Sequence, residues 1–546
     1  MRKVLKLIVF VFPALIVFTS FVFNGCGHGG SSSTTTQAGP TYYVDCSAPA
    51  NGDGTQTSPW NTLTSANAVS FTAGNQLLLK RGTICQGALN PAGSGSSGAP
   101  IAVDAYGAGA APVIDGGTSS AVVHLTDQQY WEIRNLEIVG GNKFGIFIEG
   151  TTSNSALNHF HLINLNVHGA HYVSTGTGDS GEVVIRPTGV HQVVNDVLID
   201  GVTAHDSQVY AGILVGAAGH FNEETAACQQ QPTPAEQLGS NITVQNSTVH
   251  DVYGSGMVID GLNNGLMQNN VVYNSGLCTD YDCGTGLWEW CCHSCMIQSN
   301  ESYSNHNTGL PLYGDGGDFD IDNSNIANVL QYNYGHDADG YCIAIGAVSV
   351  STNSIVRYNV CSNDGRNGKI QPPQGEILVG NVNGVQVYNN TISANPAIGS
   401  AAFLATAQPS TDQRIFENNI IYNAVPQMIQ AVPGYTLDYN IYWTTSSSSP
   451  TWLWNGTTYN SLSAYQSASG QDGHSLYIDP MLNDPTYHSP GRPASPLTLQ
   501  AGSPARGAGT NVCLGIGGCS VGTQDFFGNP LPMTGTGYDI GADQAP

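Results

Sequence analysis

The run Gly316-Gly317-Asp318-Phe319-Asp320-Ile321-Asp322 sets three carboxylates at alternate positions of an apolar frame. If Phe319 and Ile321 point inward, period-2 alternation sends Asp318, Asp320 and Asp322 outward on one face. Crowded carboxylates repel and raise one another's pKa, so such a row suits a metal, a shared proton or a substrate better than it suits stability. At roughly 3.3 Å per residue, alternate positions lie roughly 6.6 Å apart along the backbone. Hydrolases that invert a glycosidic centre hold their two carboxyl groups about 6.5–9.5 Å apart, leaving room for a water. Asp320 and Asp322 are therefore the candidate acid and base. The bland alternative is a solvated acidic ridge that only holds calcium.

Further polar groups follow at one-coil distances: Tyr334-Gly335-His336-Asp337-Ala338-Asp339-Gly340, then Asn363-Asp364-Gly365-Arg366. Sugar faces stack on aromatic rings, which makes Trp288 and Tyr313 candidate substrate platforms. Packing beneath a cysteine-rich loop is the competing role for Trp288. His336 is a candidate base or substrate contact, with an ordinary loop histidine as the alternative. Asp260 and Glu149 could line distal subsites.

The stretch GDFDID followed by NVLQYNYGHDADG is similar to the part of family 9 polysaccharide lyases that reads A-D-G-F, then N-V-F, then a D-D-G turn. The resemblance implies a parallel β-helix and a catalytic Ca²⁺ held by acidic residues. Carried across, Asp318, Asp337 and Asp339 would be the metal ligands. A further ligand would fall on Cys342, a departure from the pattern. The lyase base is a lysine in a G-F-K strand. Here Gly375-Glu376-Ile377-Leu378 has none, so elimination would need Lys369 or Arg366 to substitute. An eliminase needs both a base for the proton beside a uronate carboxyl and a cation on that carboxylate.

The elements that must position these residues repeat. Seven phrases, VQNSTV, MQNNVV, IQSNES, LQYNYG, VRYNVC, VYNNTI and FENNII, place Ser247, Asn270, Asn300, Asn333, Asn359, Asn390 and Asn419 at their fourth positions. Self-similarity at 23 to 33 residues signals a solenoid, and alternation inside each phrase makes its unit a strand. The expected fold is an all-β, single-stranded right-handed parallel β-helix, regular from about residue 70 to 440, with caps at both ends. Asparagine suits the bend because it tolerates the left-handed conformation and can bond to the next asparagine along the stack.

Residues 41–115 resemble the N-terminal capping coils of bacterial pectate-lyase-like β-helix proteins, and 441–546 resemble their C-terminal closing module. Trp443, Trp452 and Trp454 in the latter are expected to pack against the helix end. Residues 1–25 read as an export signal, with a retained membrane anchor as the alternative. Phe23-Asn24-Gly25-Cys26 resembles a bacterial lipobox, which would anchor the chain by lipid at Cys26. Residues 26–40 then form a flexible tether.

Thirteen cysteines in an exported chain imply disulfides. Setting Cys26 aside leaves twelve, for which six bonds are expected, including Cys46–Cys85, Cys342–Cys361 and Cys513–Cys519. The run CTDYDCGTGLWEWCCHSC could instead be a zinc knuckle, but export favours disulfides.

A net charge of −25 with only five lysines excludes a nucleic-acid groove and disfavours polyanionic glycans unless metal bridges them. The chain is expected to be a monomer, secreted or on the outer cell surface, with a polysaccharide as its partner. Three functions stay open: hydrolysis of a glycan by clustered aspartates, calcium-dependent lysis of a uronate glycan, or non-catalytic surface adhesion. Fold alone does not separate them.

Overall fold

The computed structural model describes residues 39–172, 180–189, 192–216, 238–278, 284–308, 315–346, 351–367, 375–394, 401–405, 414–493, 495–514, 520–532 and 537–545. The export signal, Cys26 and Tyr313, Lys369, Cys228, Cys283 and Cys519 lie outside them.

Three long sheets run side by side along the coil. Among the described residues they hold 15, 14 and 13 strands, each hydrogen-bonded to the equivalent strand one coil away. All long-sheet pairings are parallel until Thr451–Trp454 meets Thr457–Tyr459 antiparallel. This is the parallel β-helix that the asparagine phrases predict. The first sheet already begins at Thr41–Val44, ahead of the expected onset, and the third begins at Ala121–Thr126.

The ladder has the predicted members. Asn270, Asn300, Asn333, Asn359, Asn390 and Asn419 are buried, and the carboxamide oxygen of each accepts from the backbone N–H of the preceding member at 2.9–3.0 Å. Each Nδ2 also donates to a strand carbonyl, as Asn333 does to Ile297 at 2.9 Å. The line continues to Asn440, which donates to Asp472. The left-handed residue is not the ladder asparagine but its predecessor: Asn246, Asn269, Ser299, Tyr332, Tyr358, Asn389 and Asn418 all have φ between 50° and 57°. The sharp turn therefore falls one residue earlier, and it swings the asparagine amide into the coil.

Trp452 and Tyr465 close the far end of the coil interior, and Trp454 packs beside them, as expected of packing tryptophans. The described residues between 482 and 545 instead pack along the flank. Their core is Leu482, Leu497, Phe526 and Ile540 against Tyr332, Tyr358, Tyr388 and Ile420. Arg492 donates to Tyr332 O, and Tyr388 Oη donates to Ser520 O at 2.7 Å.

Cys46–Cys85 and Cys342–Cys361 are bonded, and Cys278, Cys291 and Cys513 are in disulfides too. Six bonds do not form, however. Cys292 and Cys295 are free and fully buried. Both lie in the core inside the coil. Among the described residues no helix is long and apolar enough to cross a membrane.

Candidate functional site

The outer face of the third sheet carries one in-register file: Phe147, Val184, Leu214, Val258, Trp288, Asp320, Ala344, Leu378. It is apolar for four coils, turns aromatic at Trp288, and becomes acidic at Asp320. Inward, Leu287, Phe319 and Ile343 stack in the core, which fixes the direction of the whole file.

Asp320 is 8% exposed, and its Oδ2 accepts from the Tyr341 hydroxyl at 3.2 Å. The same hydroxyl reaches Asp315 Oδ1 at 3.4 Å and Thr285 Oγ1 at 2.8 Å. Tyr341 can stand there because Gly317 has no side chain: a Cβ at Gly317 would lie 2.3 Å from the tyrosine ring. Asp322 is partly exposed, with its Oδ1 accepting from Asn323 Nδ2 at 2.6 Å. Asp315 is also partly exposed.

These carboxylates raise one another. Burial, then the charge of Asp315, lifts Asp322 to about 7, against a small opposing pull from Asn323. Burial, then the charges of Asp322 and Asp315, pushes Asp320 well above the usual carboxylate range. Burial and the same acids push the Tyr341 phenol up, so it stays a proton donor. At neutral pH such a group retains at least one proton while carrying negative charge, the state that acid–base chemistry on one bond requires.

Trp288 pairs with Asp320 one coil away and is 7% exposed. Its indole Nε1 is buried and has no hydrogen-bond partner among the described residues. Trp290, two residues on, shares this cluster.

Asp318 does not join the row. It precedes the strand Phe319–Ile321, where the chain is still turning, so alternation does not govern it. Its carboxylate points into the coil, accepting from Ser302 Oγ at 2.9 Å and Asn305 Nδ2 at 2.7 Å. Burial pushes it and its buried neighbour Asp364 well above their ordinary range.

Asp337 and Asp339 lie at the second sheet, each with partners of its own. Asp337 takes His336 Nδ1 at 3.0 Å and His488 Nδ1 at 3.1 Å, with Arg366 Nη1 at 3.5 Å. Burial works to raise its pKa, but bonds from His336, His488 and Asn363 outweigh this and leave it at about 2. Asp339 Oδ2 accepts from Asn307 N at 3.2 Å and has His306 at 3.4 Å. His336 is fully buried between Tyr303 and Tyr334, paired also with Glu301. It serves the flank of the fold, apart from the acidic face. Glu149, one of the distal candidates, pairs with His124 at 2.9 Å.

Sequence reasoning missed Asp315, Thr285 and Tyr341. Tyr341 meets Asp315 and Asp320 only because one coil brings residues 26 and 21 positions apart together. No local pattern marks that contact; the only sign is the glycine at position 317.

No family model matches the chain. A lacto-N-biosidase of Bifidobacterium longum subsp. longum is 25% identical over 501 residues, spanning 75% of this chain and 30% of that protein. The chain therefore covers less than a third of that relative. The uncharacterized protein YwoF of Bacillus subtilis is 22% identical over 502 residues, covering 86% of this chain and 92% of its own length. Among solved structures, the lacto-N-biosidase of Eubacterium ramulus matches with a TM-score of 0.49 and 19% identity over 74% of this chain and 64% of its own. The pectate lyase Pel9A matches with a TM-score of 0.40 and 16% identity over 93% and 96%.

Proposed function

We propose that the chain is a glycoside hydrolase acting on a neutral or weakly charged glycan, with Asp315 and Asp322 as the carboxyl pair that meets the scissile bond. The observation that carries this reading is the convergence of Asp315, Asp320 and Asp322 around the Tyr341 hydroxyl, on the coil next to Trp288. The 25% identity to a lacto-N-biosidase supports the same reaction class.

Glycoside hydrolysis needs one carboxylic acid to protonate the leaving oxygen and one carboxylate to activate water or attack the sugar. Asp322, held protonated up to about 7, supplies the proton. Asp315, partly exposed beside it, is the carboxylate. Asp320 is nearly covered and lies beneath, where the Tyr341 hydroxyl ties it to Asp315. Trp288 offers a ring face and an N–H for the adjoining sugar.

The calcium-dependent lyase reading asks Asp318, Asp337 and Asp339 to hold one cation. Asp318 faces the coil interior, while Asp337 is already engaged by two histidines and Arg366. That donor set does not fit calcium.

A panel of neutral and uronic-acid oligosaccharides tests the reading. New reducing ends without ultraviolet absorbance from an unsaturated uronate are expected. Absorbance on a uronate substrate would establish the lyase instead, and no product on any glycan would favour a binding protein.

A further inference from the structure

The inward file of the third sheet reads Ile148, Ile185, Val215, Ile259, Glu289, Ile321, Ile345, Val379. One carboxylate interrupts seven aliphatic residues. Glu289 is 1% exposed, and both carboxyl oxygens are buried without a hydrogen-bond partner. An isolated buried carboxylate is strongly disfavoured, so the group must either hold its proton or have a cation.

The neighbours of Glu289 are the two free thiols. One ligand atom from each of Glu289, Cys292 and Cys295 lies within 4.8 Å of the others. Asn325 Oδ1 holds Cys292 N at 2.8 Å, and Asn328 Oδ1 holds Cys295 N at 3.0 Å, which fixes both cysteines facing inward. The backbone N–H of Gly265 donates to Cys295 Sγ at 3.2 Å. Asn328 Nδ2, buried and otherwise unpartnered, is the polar neighbour of the Glu289 carboxyl.

We infer that Glu289, Cys292 and Cys295 form a structural site for one divalent ion of the zinc type, inside the coil. Two soft thiolates and one carboxylate select zinc over calcium or magnesium. Tetrahedral zinc with sulfur at about 2.3 Å and oxygen at about 2.0 Å brings its ligands closer than the limit the three residues now meet, so small side-chain shifts close the site. The fourth position falls to a backbone carbonyl or a water. The carbonyls of Ile259 and Leu262 already face the two sulfurs, at 3.9 and 3.7 Å.

The ion would pin the strand Leu287–Trp290, which carries Trp288 and pairs with the strand of Asp320. The inference does not depend on the hydrolase reading.

The test is the metal content of the protein expressed from the complete chain in zinc-supplemented medium and purified without chelator. About one zinc per chain is expected, and reloading with cobalt should give the thiolate-to-cobalt charge-transfer absorption. Cys295→Ser should abolish that band, and Glu289→Gln should weaken cobalt binding while keeping both sulfurs. Should these variants fail to fold, zinc content and the cobalt spectrum of the parent still decide. A folded parent that takes up neither ion overturns the inference, as does a Cys292–Cys295 disulfide found by mass spectrometry.

Discussion

The hydroxyl of Tyr341 lies 3.2 Å from Oδ2 of Asp320, and that single contact ties two successive coils together at the acidic face. The strand of Asp320 fixes the carboxyl, while the chain after the Ala338-Asp339-Gly340 turn supplies the donor. Because the same hydroxyl also reaches Asp315, it links two of the acids on this face. Their separate roles can be resolved by substitution.

Asp322→Asn and Asp315→Asn should each lower kcat/KM by roughly a hundred- to ten-thousand-fold, the usual span for losing an acid–base group. Asp320→Asn should cost less and move the pH profile. None of the three should lower the melting temperature, since each removes a carboxyl from a crowded, covered cluster. Full activity in Asp322→Asn would place the chemistry elsewhere.

Activity should fall as pH rises through about 7, where Asp322 loses its proton. Stability should follow the same group. Its folded pKa is raised above 3.8, so the folded state binds more protons than the unfolded one between about 4 and 7. Stability is therefore full below about 4 and declines up to about 7. Thermal melts across that window should show the decline, and Asp322→Asn should flatten it. A parent and variant with parallel curves would contradict the assignment.

The fold was legible because its signal is local and repeated: each ladder asparagine sits in a six-residue phrase that recurs along the chain. The acidic strand was legible for the same reason, and alternation placed Asp320 and Asp322 correctly. It failed at Asp318, one residue outside the strand, where a corner and not a pleat sets direction. Asp315 and Tyr341 escaped notice because a coil's length separates contacts that matter. Alternation turns Glu289, between Trp288 and Trp290, away from the outer face. Nothing in WEWCC tells a reader that the inward direction holds two free thiols.

A calcium-selective chelator such as EGTA should leave cleavage unchanged. Asp337, the central residue of the expected calcium set, is already engaged by His336, His488 and Arg366, and its Asn363 contact completes its shell. Loss of activity on chelation, restored by calcium, would reverse this and revive the lyase reading.

Asn333→Ala should destabilise the chain by about 2–4 kcal/mol, because it leaves buried groups unpaired on both neighbouring coils. Asn333 Nδ2 donates to Ile297 O and Asn359 Oδ1, and its Oδ1 accepts from Asn300 N and Nδ2. Chemical denaturation should show a lower midpoint at unchanged slope. A change below about 0.5 kcal/mol, the range of ordinary surface substitutions, would mean that the ladder does not hold the coils together.

Trp288 separates two ways of holding a sugar. Its ring occupies the position one coil before Asp320, and its indole N–H is buried without a partner. Stacking uses the ring face, whereas a hydrogen bond uses the N–H. Trp288→Ala removes both, along with a nearly buried side chain, so it should also destabilise the fold by about 3–5 kcal/mol. Trp288→Phe keeps an aromatic face, removes the N–H and disturbs packing less. If the N–H binds substrate, the phenylalanine variant should raise KM by roughly five- to tenfold with kcat little changed, the value of about one hydrogen bond. If stacking alone matters, KM should stay near that of the parent. Unchanged KM together with unchanged kcat in a folded Trp288→Ala variant would remove Trp288 from the site and confine its role to packing.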